Sequence, residues 1–395
     1  MCEIIFFIFS LIIILMTTQT YTSLTPLQLQ KYYTPNNTVT HNLGVNNPTI
    51  VVINAYASNT VGSDVNAFSD FYTLPHMNIP DGFGNLQVTD PSLGNLYLYY
   101  QYGSSNFSTS PNAISYPLVT TASTATDVNV NIQSIHAMAP YANIAFLQIS
   151  TISSINFANA LNFAQNILPN TLNVVGVVIS WGTKENISDK ATFSNAFTNP
   201  NMMFFGPIGN NKSVGILPNM PAAYMVACGG TSIATNPDGT LAEQAWNGST
   251  GGICSMVQKP LYQTSLSYAM RAVPDIAMDA DPLTCFKIIT NGVVGANVGG
   301  TSTAAMLAAG VMAVLIQQYM INHTTPATQI VRINQSDFLT YLYVPNGEID
   351  ISINSKSNKW TNYQQAATGY DLATGNGSLN FANMLEKLTF TTISL

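Results

Sequence analysis

The sequence predicts an α/β protein: a mostly parallel sheet with helices on both faces, in a single domain. Three observations predict it. Short, β-branched, continuously apolar runs bounded by turn residues recur at 49–55 (TIVVINA), 143–149 (NIAFLQI) and 174–180 (VVGVVIS), the pattern of strands buried on both faces. Helical stretches alternate with these runs, as parallel strands require. The longest helical stretch, 303–320, is apolar on all sides, so it reads as a buried core helix rather than a membrane span.

In chain order, the strand at 49–55 is followed by an excursion over 81–108, rich in Gly, Asn, Tyr and Ser. A helix at 127–139 leads into the 143–149 strand, and one at 154–167 leads into 174–180. A third, at 191–198, precedes a short strand at 202–205, and 224–228 is a further short strand candidate. No internal repeat or low-complexity linker interrupts this order.

The 395 residues are 47% hydrophobic, which excludes a disordered chain and allows a large core. Only 7% are charged, against about 25% in ordinary soluble domains. With 11 Lys and Arg and a net charge of −7, the chain lacks the electrostatic footprint of a nucleic-acid binder. Ile4 to Met16 form an apolar run broken only by Ser10, shorter than the ~20 residues of a membrane span. It reads as the core of a signal peptide, although Glu3 is present and no Lys or Arg precedes it. Residues 1–22 are therefore expected to be a signal peptide or an uncleaved anchor, and 23–395 the folded domain. The expected location is secreted or within the endomembrane lumen. Outside the leader stand Cys228, Cys254 and Cys285, without metal-binding spacing. They leave open one disulfide or three buried thiols.

Gly299-Gly300-Thr301-Ser302 stands just before the long apolar helix. Ser302 then sits at a helix N-terminus, where backbone N–H groups and the helix dipole favour a developing oxyanion. Serine is also an ordinary helix cap, so this motif alone is weak.

The whole chain from Leu24 to Leu379 carries further motifs in a specific order. They are Leu24-Thr25-Pro26-Leu27-Gln28-Leu29, Gly62-Ser63-Asp64-Val65-Asn66-Ala67-Phe68, Ala137-Met138-Ala139-Pro140, and Ile179-Ser180-Trp181-Gly182. Then follow Cys228-Gly229-Gly230-Thr231, Trp246-Asn247, Gly251-Gly252, Val273-Pro274-Asp275-Ile276, Asp279-Ala280-Asp281-Pro282, Gly300-Thr301-Ser302 and Gly369-Tyr370-Asp371. In this set the chain resembles the sedolisins, the serine-carboxyl peptidases, whose fold is subtilisin-like.

The resemblance implies Ser302 as nucleophile. It also implies a Glu–Asp pair four residues apart on one helix face, upstream of the A-M-A-P segment; here those positions hold Asp127 and Asn131. The oxyanion-hole Asp position holds Asn210. One catalytic position of four is thus intact. An amide at 210 donates a hydrogen bond at every pH, so Asn210 is the mildest change. Asp127 withdraws the base by one C–C bond, about 1.5 Å. Asn131 is expected to donate to it and to hold its pKa near or below the usual value. His136 falls on the opposite side of the helix from Asp127 and is expected to be a packed core histidine.

Ser180, Trp181 and Gly182 match the strand that pairs with extended substrate in the family, and Gly251 and Gly252 its opposite wall. One structural Ca²⁺ is implied, held by Asp350 and Asp371 with carbonyls at Ile351, Ala367 and Gly369. The family's long propeptide is not expected before Leu24. The function implied is that of a monomeric serine peptidase acting on peptides or unfolded protein, with weakened or altered activity. The alternative is an inactive homologue that binds peptide or serves as a structural protein.

Overall fold

The computed structural model describes residues 19–55, 58–103, 105–113, 122–211, 221–344 and 369–394. The first half of the described chain runs α1 (Pro26–Tyr33), β1 (Thr49–Ala55), α2 (Val61–Tyr72), β2 (Met77–Asn78), β3 (Gly94–Tyr102), β4 (Asn106–Ser108), α3 (Ala122–Met138) and β5 (Asn143–Ile149). It continues through α4 (Ser154–Asn166), β6 (Val174–Ile179), α5 (Ile187–Ser194), β7 (Met203–Pro207), β8 (Val226–Thr235) and β9 (Leu241–Ala245). The remainder comprises β10 (Gly252–Gln258), β11 (Met270–Val273), β12 (Ile276–Asp279), β13 (Lys287–Thr290), β14 (Val293–Asn297), α6 (Thr301–Asn322), β15 (Gln329–Arg332), α7 (Gln335–Leu342), α8 (Phe381–Lys387) and β16 (Thr391–Ser394).

The main sheet has the order β12-β8-β7-β6-β1-β5-β3-β2, and every neighbouring pair in that row is parallel. β9 adds antiparallel to β8, and β4 to β3. Strand β1 lies at the centre, with Ile53 opposite Leu147 on one side and Ile179 on the other. Its side chains alternate between two cores, as a strand's period of two demands. Ile50 and Val52 join α3 and α6 on one face; Val51 and Ile53 join Phe157 and Leu161 of α4 on the other. The expected α/β class, with helices on both faces, is the observed one.

Three expectations change. The 81–108 excursion contains β3, a full member of the sheet between β5 and β2. Its tyrosine-rich run mixes buried, half-buried and exposed positions, because it lies near the sheet margin and lacks the unbroken apolar run of an interior strand. The helix expected at 191–198 begins earlier, at Ile187, because Asn186 caps it by accepting from the Asp189 N–H. The short strand at 224–228 extends to Thr235, held on its free side by β9. Helix α6 is long and apolar enough to cross a membrane, but 89% of its most apolar window is buried in this fold. Cys228, Cys254 and Cys285 are free and buried; burial pushes the Cys254 thiol up to about 12. Of the expected leader, 1–22, residues 1–18 lie outside the described residues, while Thr20 exchanges backbone hydrogen bonds with Thr235.

Candidate active site

The carboxyl ends of β1, β5, β6 and β7 lie along one edge of the sheet, and the site residues gather there. Gly300 precedes α6 with φ of +119°, a left-handed region in which glycine is favoured. Its amide donates to the Ala280 carbonyl at 2.7 Å, and a Cβ on it would come within 2.8 Å of Asn210 Nδ2. A Cβ on Gly299 would lie 2.3 Å from the same Ala280 carbonyl. The glycine pair is thus what lets the start of α6 press against both neighbours.

Asn210, just beyond β7, is locked to that start. Thr301 donates to Asn210 Oδ1 through its backbone N–H at 2.9 Å and its hydroxyl at 3.0 Å. The Gly209 N–H donates in turn to Thr301 Oγ1 at 3.0 Å. A backbone N–H can only donate, so the amide's orientation follows: Oδ1 faces Thr301. Nδ2 is left beside Gly300 and meets no acceptor among the described residues. Ser302, one residue into α6, is half-buried, and its own N–H lies in the first turn, where no intrahelical acceptor exists. The start of α6 thus carries two donors, Asn210 Nδ2 and the Ser302 N–H, with no acceptor of their own among the described residues.

The base side is built differently. Helix α3 packs along α6, and Gly310 makes the approach close: a Cβ there would lie 2.6 Å from Met138 Cβ. Gly310 is about 12 Å down α6 from Ser302, and Ile135, which it also faces, is about 12 Å down α3 from Asp127. Both helices start at the same sheet edge, which puts Asp127 and Ser302 toward the same end of the pair. Asp127 and Asn131 share the stripe of α3 that carries Ile135 and Met138, as i, i+4 neighbours do. Yet Ser302 Oγ donates to the Ser180 carbonyl at 2.8 Å, with no bond to Asp127.

The expected Asn131–Asp127 bond is absent as well. Asn131 is buried and its Nδ2 meets no acceptor, while Asp127 one turn earlier is exposed. The Asp127 pKa moves opposite to expectation. Partial desolvation raises it, and no donor offsets that effect. His136 is buried as expected, its Nε2 placed between the Ser69 hydroxyl at 2.8 Å and the Pro75 carbonyl at 3.0 Å, and burial holds its pKa down to about 4.

Trp181 packs edge-on against Phe157, and its Nε1 is buried without an acceptor. Ser180 and Gly182 flank it, half-buried, beyond the end of β6. Gly251 and Gly252 are buried; a Cβ on Gly251 would strike the Leu372 carbonyl, so that glycine is fixed by packing against the C-terminal segment. Of the calcium set, Asp350, Ile351 and Ala367 lie outside the described residues. Asp371 is buried and its Oδ1 accepts from the Ala373 and Thr374 N–H groups; Gly369 sits nearby with φ of +82°. No cluster of three or more His, Cys, Asp or Glu side chains occurs among the described residues. Sequence reasoning missed Thr301 and the Ser180 carbonyl as the immediate partners of the site, since one acts as a clamp and the other through backbone.

No family model matches the chain. Kumamolisin from Bacillus sp. (strain MN-32) is 27% identical over 293 residues, covering 66% of this chain. The match covers 50% of that protein, so the chain spans about half the length of this curated relative. Among solved structures, a Pseudomonas sedolisin (serine-carboxyl proteinase) complexed with two molecules of pseudo-iodotyrostatin superposes with a TM-score of 0.68 at 19% identity, covering 93% of this chain and 98% of that one. An S41 psychrophilic protease gives a TM-score of 0.54 at 16% identity, covering 90% and 98%. These two show the fold alone. That fold is subtilisin-like, and the similarity to kumamolisin agrees with the sedolisin resemblance carried by the ordered motifs.

Proposed function

We propose that the chain is a secreted, sedolisin-like serine peptidase homologue that acts slowly on extended peptides or unfolded protein. One observation carries this reading: Asn210 is clamped by Thr301 so that its amide donor stands at the N-terminus of the helix bearing Ser302. An extended substrate pairs with the backbone of Ser180, Trp181 and Gly182 by strand addition. Ser302 Oγ leaves the Ser180 carbonyl and attacks the scissile carbonyl carbon. Its proton passes to the Asp127 carboxylate, which later returns it to the leaving amine. The oxyanion is held by Asn210 Nδ2 and the Ser302 N–H, and water then hydrolyses the acyl-enzyme. The weak step is the first proton transfer, because Asp127 stops short of Ser302 and lacks a second carboxylate.

The missing Ser302–Asp127 bond favours a second reading, an inactive homologue that still binds peptide along Ser180–Gly182. Incubating the purified protein with denatured protein from pH 3 to pH 8, beside Ser302→Ala, separates the two. Cleavage lost in the variant supports the peptidase, and equal cleavage by both proteins refutes it. A structural Ca²⁺ belongs to the same proposal. Asp371 is a buried carboxylate of the kind such a site uses. It supplies no catalytic step, and a lower melting temperature on chelation is the result that supports it.

A further inference from the structure

The sequence match drew Asp64 only as part of a motif, yet its carboxylate is a buried hub beside the site. It lies in the first turn of α2 and accepts four hydrogen bonds. The Thr60 hydroxyl donates to Oδ2 at 2.8 Å, Asn129 Nδ2 at 2.9 Å and the Asn291 N–H at 2.9 Å; the Gly292 N–H donates to Oδ1 at 2.8 Å. Asn291 and Gly292 form the tight turn between β13 and β14, both with positive φ. That hairpin runs directly into Gly299, Gly300 and the nucleophile.

Asn129 stands on α3 two residues after Asp127, about 200° around the helix from it. The Asn129 stripe continues through Gln133, whose amide bonds both the carbonyl and the N–H of Ile289 at 2.7 Å and 2.9 Å. Gln133 also donates to Asn129 Oδ1 at 3.1 Å, which closes the network. Helix α3 is therefore held on two sides: one stripe packs on α6 and carries Asp127, and the other is tied to the hairpin through Asp64. The second stripe sets the rotation of α3 about its own axis, and rotation decides where Asp127 points.

We propose that Asp64 is a positioning residue for this site, registering the helix of the base, Asp127, against the hairpin that leads to Ser302. The proposal rests on the reading of Ser302 as nucleophile and Asp127 as base. Asp64→Asn keeps the shape but turns one acceptor oxygen into a donor facing N–H groups. Asn129→Ala removes a single strand of the network and leaves the other three bonds to Asp64 intact, so it guards against misfolding of the first variant.

The experiment follows two quantities in the full chain, at a temperature where all three proteins are folded. One is the rate of Ser302 modification by a fluorophosphonate from pH 4 to pH 8, and the other is the titration of the Asp127 carboxyl by ¹³C NMR. Both variants should slow modification by about 100-fold, the usual cost of an ångström-scale misplacement, and should shift the Asp127 titration. Wild-type values of both quantities in variants with a lowered melting temperature would overturn the proposal, since a purely structural role moves only stability. If the wild-type serine itself resists the reagent, the peptidase reading fails, and the Asp127 titration alone decides the role of Asp64.

Discussion

On one side of Ser302 stands Asn210, with its carbonyl oxygen fixed by two bonds from Thr301 and its amide donor beside the nucleophile. On the other side stands Asp127, exposed and without a donor, above an Asn131 whose buried amide finds no acceptor. On the proposed reading, both sides differ from the sedolisin pattern the chain resembles in the same chemical direction, from carboxylate to amide or to a shorter acid. The outcome differs because of what each position must do. An oxyanion donor needs only an N–H in the right place, and an amide supplies one at any pH. A general base needs reach and an orienting partner as well as a suitable pKa, and the loss of a methylene and a carboxylate removes the first two, while desolvation still raises the Asp127 pKa.

The largest expected effect tests the intact side. Asn210→Ala should lower kcat by 10²–10³ with little change in KM, since the donor acts on charge that develops in the transition state. A purely raised KM would show that Asn210 binds substrate and not the oxyanion.

The base side predicts a pH profile. Asp127 acts only when ionised, and desolvation raises its pKa. Ser302-dependent cleavage should therefore climb about tenfold per pH unit below that pKa and level off above it, as a single ionisation requires. A maximum in acid, falling towards neutrality, would contradict Asp127 as the base. The smallest effect concerns Asn131. Replacing an unsatisfied buried amide by Leu should leave activity unchanged and raise stability by about 1 kcal/mol, measured by denaturant unfolding. A drop in kcat would mean that Asn131 takes part in the proton transfer.

The sheet was legible in sequence because interior parallel strands leave strong local patterns, whereas Ser302 stood out only through the ordered motifs around it, since a glycine-flanked helix start is weak alone. β3 escaped because its tyrosines straddle the sheet margin and break the apolar run. The positions of Asp127, Asn131 and Asn210 followed from the sedolisin resemblance and its motif spacing, but their contacts did not. An i, i+4 relation puts 127 and 131 on one stripe and says nothing about depth along it, and depth leaves one exposed and the other buried. Asp64 gave no signal of its hub role, because three of its four donors come from segments more than 60 residues away.

The central question is whether the scaffold is competent and only the base has been shortened. The direct test is kcat/KM of Asp127→Glu combined with Asn131→Asp, on a peptide substrate at the optimum pH of each protein. Restored reach should raise it by about 100-fold or more over the natural chain, all of it lost on adding Ser302→Ala. An unchanged kcat/KM in a folded double variant would contradict the claim, and would place the defect elsewhere in the cleft.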